Sequence, residues 1–107
     1  MYIVVFVTAK DKAEGQKIAD KLIDDKIAAC VNILEGVTSL FWWEGKIDQA
    51  REVLLIIKTR KILFNKLKKV VKAAHSYAVP EIIALPIING NVDYLKWIKD
   101  STTGKSK

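Results

Sequence analysis

The sequence is poor in the side chains that build disulfides and metal centres, since its 107 residues include one cysteine and one histidine. A single cysteine excludes an intrachain disulfide, and this pair alone cannot form a zinc finger or a two-histidine metal site. No G-x-G-x-x-G, G-x-x-x-x-G-K-[ST] or G-x-S-x-G motif occurs, so the sequence supports neither a phosphate-binding loop nor a serine nucleophile. We therefore predict that the protein is not an enzyme and requires no cofactor.

Long apolar runs are also missing, although half of the residues are apolar. No run approaches the roughly 20 residues that span a bilayer, so we expect no membrane partner. Residues 1–7 lack a basic leader and a cleavage site, which favours a strand over a signal peptide and predicts a cytoplasmic protein. The length fits one domain, which we assign to residues 1–100, followed by a polar tail over residues 101–107.

Positive charge is concentrated in one segment of the chain. The net charge is +6, and the stretch from Lys58 to Lys72 holds seven basic residues and no acidic one. The aromatic signature of an RNA-recognition module does not occur in the sequence. Lysines on one side of an amphipathic helix are commonly solubilising surface, so we predict no nucleic-acid partner.

The hydrophobic periodicity predicts an α+β protein with the element order βαββαβ and an extra C-terminal helix. Asp11 and Glu14 form a capping pattern before the first helix. Glu35-Gly36 predicts a bulge, and Gly45 predicts the turn of a long hairpin. The predicted strands cover residues 2–9, 28–43, 47–59 and 79–88, and the predicted helices cover residues 12–26, 60–74 and 93–99. This order is typical of a ferredoxin-like sandwich with an antiparallel sheet.

The predicted strands are apolar on both alternating faces, whereas a ferredoxin-like sandwich places helices on one face. Trp42 and Trp43 are adjacent in a strand, so their rings should point to opposite sides. A second copy of the chain would cover the remaining apolar face, and we therefore expect self-association.

The segment 75–87 holds the most distinctive polar residues, including His75, Tyr77 and Glu81. An imidazole and a carboxylate suit a weak copper or zinc site, and symmetry-related copies could complete the ligand set. Alternatively, His75 interacts with the negative end of a helix dipole and has only a structural role. Cys30 is interpreted as a small buried hydrophobe, since no basic residue adjoins it in the sequence.

Several motifs together resemble the CutA family of divalent-cation tolerance proteins. They are Ala28-Ala29-Cys30-Val31-Asn32-Ile33, the run from Thr38 to Ile47 that contains Trp42-Trp43-Glu44-Gly45-Lys46, Ile57-Lys58-Thr59-Arg60, the run from His75 to Ile83 and Tyr94-Leu95-Lys96-Trp97-Ile98. The resemblance extends from Tyr2 to about Asp100.

The resemblance implies a ferredoxin-like homotrimer whose strands extend into neighbouring copies and which is associated with tolerance to divalent cations, especially copper. The family commonly has proline where this chain has Ser76 and a polar residue where it has Ala78. Some relatives have cysteine where this chain has Val7.

Three hypotheses follow. The first is a cytosolic homotrimer that binds copper or another divalent cation weakly through His75 and Glu81. The second is an adaptor like the trimeric PII signalling proteins, with an anionic ligand in a cleft between subunits. The candidate cleft residues are Trp43, Glu44, Lys58, Arg60 and Tyr77. The third is a purely structural trimer.

Overall fold

The computed structural model describes residues 1–104 and contains a four-stranded antiparallel sheet with three α-helices. The strands are β1 (Tyr2–Ala9), β2 (Cys30–Trp43), β3 (Lys46–Arg60) and β4 (Ile82–Pro86). The helices are α1 (Lys12–Asp24), α2 (Phe64–Ala74) and α3 (Val92–Ser101), and a short 3₁₀ turn (Lys61–Leu63) precedes α2. No helix among the described residues is long and apolar enough to cross a membrane.

The sheet order β2-β3-β1-β4 confirms the predicted ferredoxin-like topology. Consecutive strands β2 and β3 form the hairpin, β1 pairs with β3, and β4 lies at the edge beside β1. The last strand is shorter than predicted, since pairing begins at Ile82 rather than Val79. The segment before it belongs instead to the connection after α2.

The core lies between one face of the sheet and helices α1 and α2. Alternate residues of β1 and β3 point into it, so Val5 lies opposite Ile57 and Val7 lies opposite Leu55. Further side chains of this cluster are Ile3, Ile18, Leu22, Ile27, Ala28, Leu67 and Val71. Burial of these aliphatic groups is the main favourable contribution to folding.

The second face of the sheet is covered only at one end, by α3. Arg60 of β3 donates two hydrogen bonds to Thr102 just after α3, from Nε to Oγ1 (2.9 Å) and from Nη2 to the carbonyl oxygen (3.0 Å). Thr102 is buried and Ser101 is the last residue of α3. Residues 105–107 of the predicted tail lie outside the described residues. Exposed side chains of Leu34, Ile83 and Leu85 remain on the rest of this face.

The hairpin projects beyond the body of the sheet as an arm formed by residues 37–51. The pairing shifts by one residue between Leu34 and Val37, and Gly36 has φ 75°, which confirms the predicted bulge. At the tip Glu44 and Gly45 both have positive φ, 50° and 77°, as a two-residue hairpin turn requires.

Candidate functional site

His75 ends α2 and is fully enclosed, with both ring nitrogens in hydrogen bonds. Nε2 lies 2.6 Å from the carbonyl oxygen of Thr8, which can only accept, so this nitrogen carries the proton. Nδ1 then accepts from the backbone N–H of Tyr77 at 3.0 Å. The two contacts use both ring nitrogens, and they tie the loop after α2 to the end of β1.

Glu14 in the first turn of α1 binds the same loop through hydrogen bonds. Its Oε1 accepts from the backbone N–H of Ser76 at 2.7 Å, and its Oε2 accepts from that of Lys10 at 3.1 Å and lies 3.9 Å from His75 Nδ1. Burial by itself would raise the pKa of this carboxyl, but the hydrogen bonds from Ser76 and Lys10 hold the pKa below its usual value. The family that the sequence resembles commonly has proline in place of Ser76, and proline has no backbone N–H for this contact.

Asp11 completes the junction from the other side. Its carboxylate accepts from the Glu14 backbone N–H at 2.9 Å and caps α1, as the sequence predicts. The Glu14 carboxylate, however, reaches back to Lys10 and across to Ser76. The capping motif therefore also contributes a tertiary contact that its spacing alone does not reveal.

Tyr77 connects this loop to the start of the sheet body. Its hydroxyl donates to Glu52 Oε2 at 2.8 Å, and Glu52 is buried on β3. Burial and the neighbouring Glu52 raise the pKa of Tyr77 to about 12. Partial burial of its carboxyl group and the nearby Glu52 carboxylate also raise the pKa of Glu81, although the residue as a whole is exposed. Tyr77, Glu52 and Glu81 thus share one acidic neighbourhood.

Lys58 and Arg60 lie toward the other end of β3, where they are already in contact with neighbouring residues. Lys58 Nζ donates to Asn32 Oδ1 on β2, and Arg60 is bound to Thr102. Lys58 is also the direct cross-strand partner of Cys30. No basic residue adjoins Cys30 in the sequence, but the inference that none lies beside it in the fold is wrong. Antiparallel pairing of β2 and β3 brings the side chains of Cys30 and Lys58 together.

The candidate cleft residues are therefore spread over three places in one chain. Eight residues separate Glu52, the Tyr77 partner, from Arg60, a distance of about 27 Å along a strand. Trp43 and Glu44 are exposed at the arm tip, beyond the opposite end of the sheet body. These groups could share a cleft only between copies of the chain.

Sequence reasoning identified His75, Tyr77 and Glu81 as members of one segment but missed the residues that hold that segment in place. These are Glu14, which the sequence indicates only as part of a cap, and Glu52, which directly precedes the apolar run 53–57 of β3. An acidic residue at the border of a buried apolar run is the signal that could have identified the second. Among the described residues, no three His, Cys, Asp or Glu side chains are grouped closely enough to hold a metal ion.

Comparison with known proteins identifies close relatives over nearly the whole domain. A chloroplastic CutA 1 protein of Oryza sativa is 54% identical over 94% of this chain, which spans 56% of that relative's length. A divalent-cation tolerance protein of Thermus thermophilus is 46% identical over 92% of this chain and 96% of its own length. The structure of a periplasmic relative from Archaeoglobus fulgidus matches with a TM-score of 0.94 at 43% identity, covering 96% of this chain and all of that one.

These relatives correct the prediction of a cytoplasmic location. One is described as chloroplastic and another as periplasmic, so membership of this group does not imply the cytoplasm. The prediction relied on the absence of a leader pattern, and a relative in another compartment removes that inference. The resemblance itself is confirmed: residues 3–101 match the family model of the CutA1 divalent ion tolerance protein. The chain belongs to the CutA1 divalent ion tolerance family.

Proposed function

We propose that this protein acts in divalent-cation tolerance as a homotrimer in which the arm of each copy covers the second sheet face of the next. The observation that carries the assembly is the exposure of the arm. Trp42, Leu40 and Ile47 expose 73%, 67% and 66% of their surface, although each is large and apolar. Exposed apolar patches of this kind are typical of interfaces between proteins.

The second sheet face supplies the complementary surface. Leu34, Ile83 and Leu85 are apolar and about half exposed there, beside the end that α3 covers. A contact between two different surfaces of the same chain is heterologous and closes into a ring when the rotation allows it. The family resemblance supports a ring of three.

For the cation, we propose weak binding in which Glu81 contributes and His75 has a positioning role. Both nitrogens of His75 are engaged by Thr8 and Tyr77, so a metal would have to displace one of these hydrogen bonds. One chain alone does not fit a resident metal ion, because its described residues provide no complete ligand group. Glu81 has a raised pKa next to Glu52, and a cation there would relieve the repulsion between the two carboxylates.

The assembly is tested by light scattering of the purified full chain. We expect a mass about three times that of the 12.0 kDa chain. The double variant Trp42→Ser/Ile47→Ser should shift the protein toward smaller species, whereas Ile62→Ser, an equally exposed apolar position off the arm, should not. A monomeric wild type, or equal dissociation of both variants, would contradict the proposed assembly.

The cation site is tested by calorimetric titration of Cu²⁺ into wild type, Glu81→Gln, His75→Gln and the control Asp24→Asn. We expect Glu81→Gln to weaken binding by about tenfold, the lower end of the usual loss for metal-site variants. His75→Gln should lower stability and leave the affinity for Cu²⁺ unchanged. The control Asp24→Asn should also leave this affinity unchanged. Loss of affinity in His75→Gln alone would assign the ligand role to His75, and identical binding by all four proteins would remove this site.

Cation tolerance itself is tested in a host that lacks its own relative. Growth in graded copper concentrations is compared for cells that produce the wild type or the arm variant Trp42→Ser/Ile47→Ser. We expect only the wild type to extend growth to higher copper. Equal growth with and without the wild type would contradict the proposed role. No observation favours the PII-like alternative, since the relatives found are divalent-cation tolerance proteins.

A further inference from the structure

One surface that the proposed function does not use is the outer side of α2 and of the turn before it. We call it the lysine arc. It exposes lysines at positions 61, 66, 68, 69 and 72, together with Ile62. At 100° per residue the four lysines of α2 fall within about 160° of the helix circumference, opposite Leu67 and Val71, which are buried. Lys61 and Ile62 lie in the 3₁₀ turn before the helix.

The charge of the lysine arc is uncompensated. No lysine of the arc forms an ion pair within residues 1–104, although lysines of the other two helices do, as in Lys21–Asp25 and Lys96–Asp100. The sequence from Lys58 to Lys72 contains no acidic residue. Such a surface is complementary to a dense array of negative charges.

Ile62 distinguishes the arc from ordinary solubilising surface. It is 80% exposed and lies in the 3₁₀ turn directly after Lys61, at the N-terminal end of the arc. A β-branched apolar side chain beside exposed lysines gains nothing from water. It gains free energy if it enters the boundary between lipid headgroups and acyl chains while the lysines contact the headgroups.

We propose that the lysine arc is a docking surface for an anionic lipid bilayer, which the protein binds peripherally, so that the expectation of no membrane partner applies only to a spanning segment. Stable attachment of a soluble protein to a membrane takes two signals, and the arc provides charge together with one apolar group. A nucleic acid fits less well, because the arc has no aromatic side chain for base stacking and a phosphate backbone offers Ile62 no apolar partner. The lysines of α2 lie on the helix side of the sheet, away from the second face, so the proposed trimer does not use them.

The experiment is sedimentation of the full chain with vesicles of phosphatidylcholine alone or mixed equally with phosphatidylserine, at low and high salt. We expect binding to the anionic vesicles only, and weakening by salt because screening shortens the range of the charges. Each lysine near an anionic surface strengthens binding roughly fivefold, so Lys66→Gln/Lys69→Gln should weaken binding roughly 25-fold. The matched control Lys96→Gln/Lys99→Gln on α3 removes the same charge and should change binding less than about twofold.

Ile62→Ser tests the apolar contribution and should weaken vesicle binding at least about fivefold without changing the net charge. Equal binding to neutral and anionic vesicles, equal weakening by the two double variants, or no effect of Ile62→Ser would each overturn the proposal. Binding to a DNA duplex without binding to anionic vesicles would also overturn it and assign the arc to nucleic acid. Circular dichroism confirms that each variant is folded before its binding is compared.

Discussion

Removal of the Tyr77 hydroxyl tests the contact that joins the loop after α2 to the sheet. In Tyr77→Phe the ring remains, but the Glu52 carboxylate loses a donor at 2.8 Å while remaining buried. A hydrogen bond to a charged group contributes about 1.5–3 kcal/mol, so we expect the free energy of unfolding to fall by about that amount near pH 8.

The pH dependence of this loss distinguishes the hydrogen bond from a packing effect. The folded-state pKa of Tyr77 is raised to about 12 from its usual value of 10.0, so the contribution of the hydroxyl is fully present below pH 10. It is lost as the pH rises toward about 12, because the phenolate cannot donate to a carboxylate and repels it. The difference between wild type and Tyr77→Phe should therefore shrink through this window.

The assay is guanidinium unfolding of both proteins at equal concentration and at a series of pH values. Tyr2→Phe is the matched control, since it also removes one phenolic hydroxyl. Tyr2 lies on β1, in the sheet that contains Glu52, and among residues 1–104 its hydroxyl forms no hydrogen bond. Subtracting each variant from wild type cancels the titration of the other groups. Equal stability of wild type and Tyr77→Phe at pH 8, or a difference that stays constant up to pH 12, would refute the reasoning.

Three further predictions concern the core and the α1 junction. Because folding lowers the pKa of Glu14, its stabilising effect should be complete above the unfolded-state pKa and disappear as the pH falls through the folded-state pKa. In thermal melts, the melting temperature of Glu14→Gln should therefore fall less steeply with acid pH than that of the wild type. Equal steepness for the two proteins would contradict this. Gly15→Ala would place a methyl group 2.9 Å from Val53 Cγ2 and should cost about 1–3 kcal/mol in chemical unfolding, so an unchanged midpoint would show that the sheet yields. Thr59→Val removes a buried hydroxyl that donates to the Ile27 carbonyl at 2.5 Å; a loss of about 1–3 kcal/mol is expected, whereas a gain would show that this carbonyl finds another donor.

The fold could be predicted from the sequence because its signals are local and agree with one another. The cap at Asp11, the bulge at Gly36 and the turn at Gly45 each follow from the chemistry of one or two residues. The predicted start of β4 is too early because Val79 is β-branched and apolar like a strand residue, whereas Pro80 has no N–H for a ladder bond and pairing with β1 begins only at Ile82.

The candidate site was less predictable, because its geometry depends on contacts between distant residues. The segment 75–81 was recognised, but the role of His75 is determined by a carbonyl 67 positions away, at Thr8. The pairing of Cys30 with Lys58 likewise arises from strand register rather than from sequence neighbours. Composition and spacing contain no information about such partners, so the sequence could nominate His75 as a ligand without showing that both of its ring nitrogens are used.

The bulge at Gly36 changes which side of the sheet the even-numbered side chains of β2 occupy. Before it, Val31 and Ile33 face the helices; after it, the alternation is reversed, so Leu40 and Trp42 occupy the side that odd-numbered residues hold earlier in the strand. Deletion of this one residue would restore a regular ladder in which Trp42 still lies opposite Ile47, but it would remove the bend and the extra twist that a bulge gives a strand. The extra residue therefore sets the direction in which the arm leaves the body, while the pairing within the arm does not depend on it.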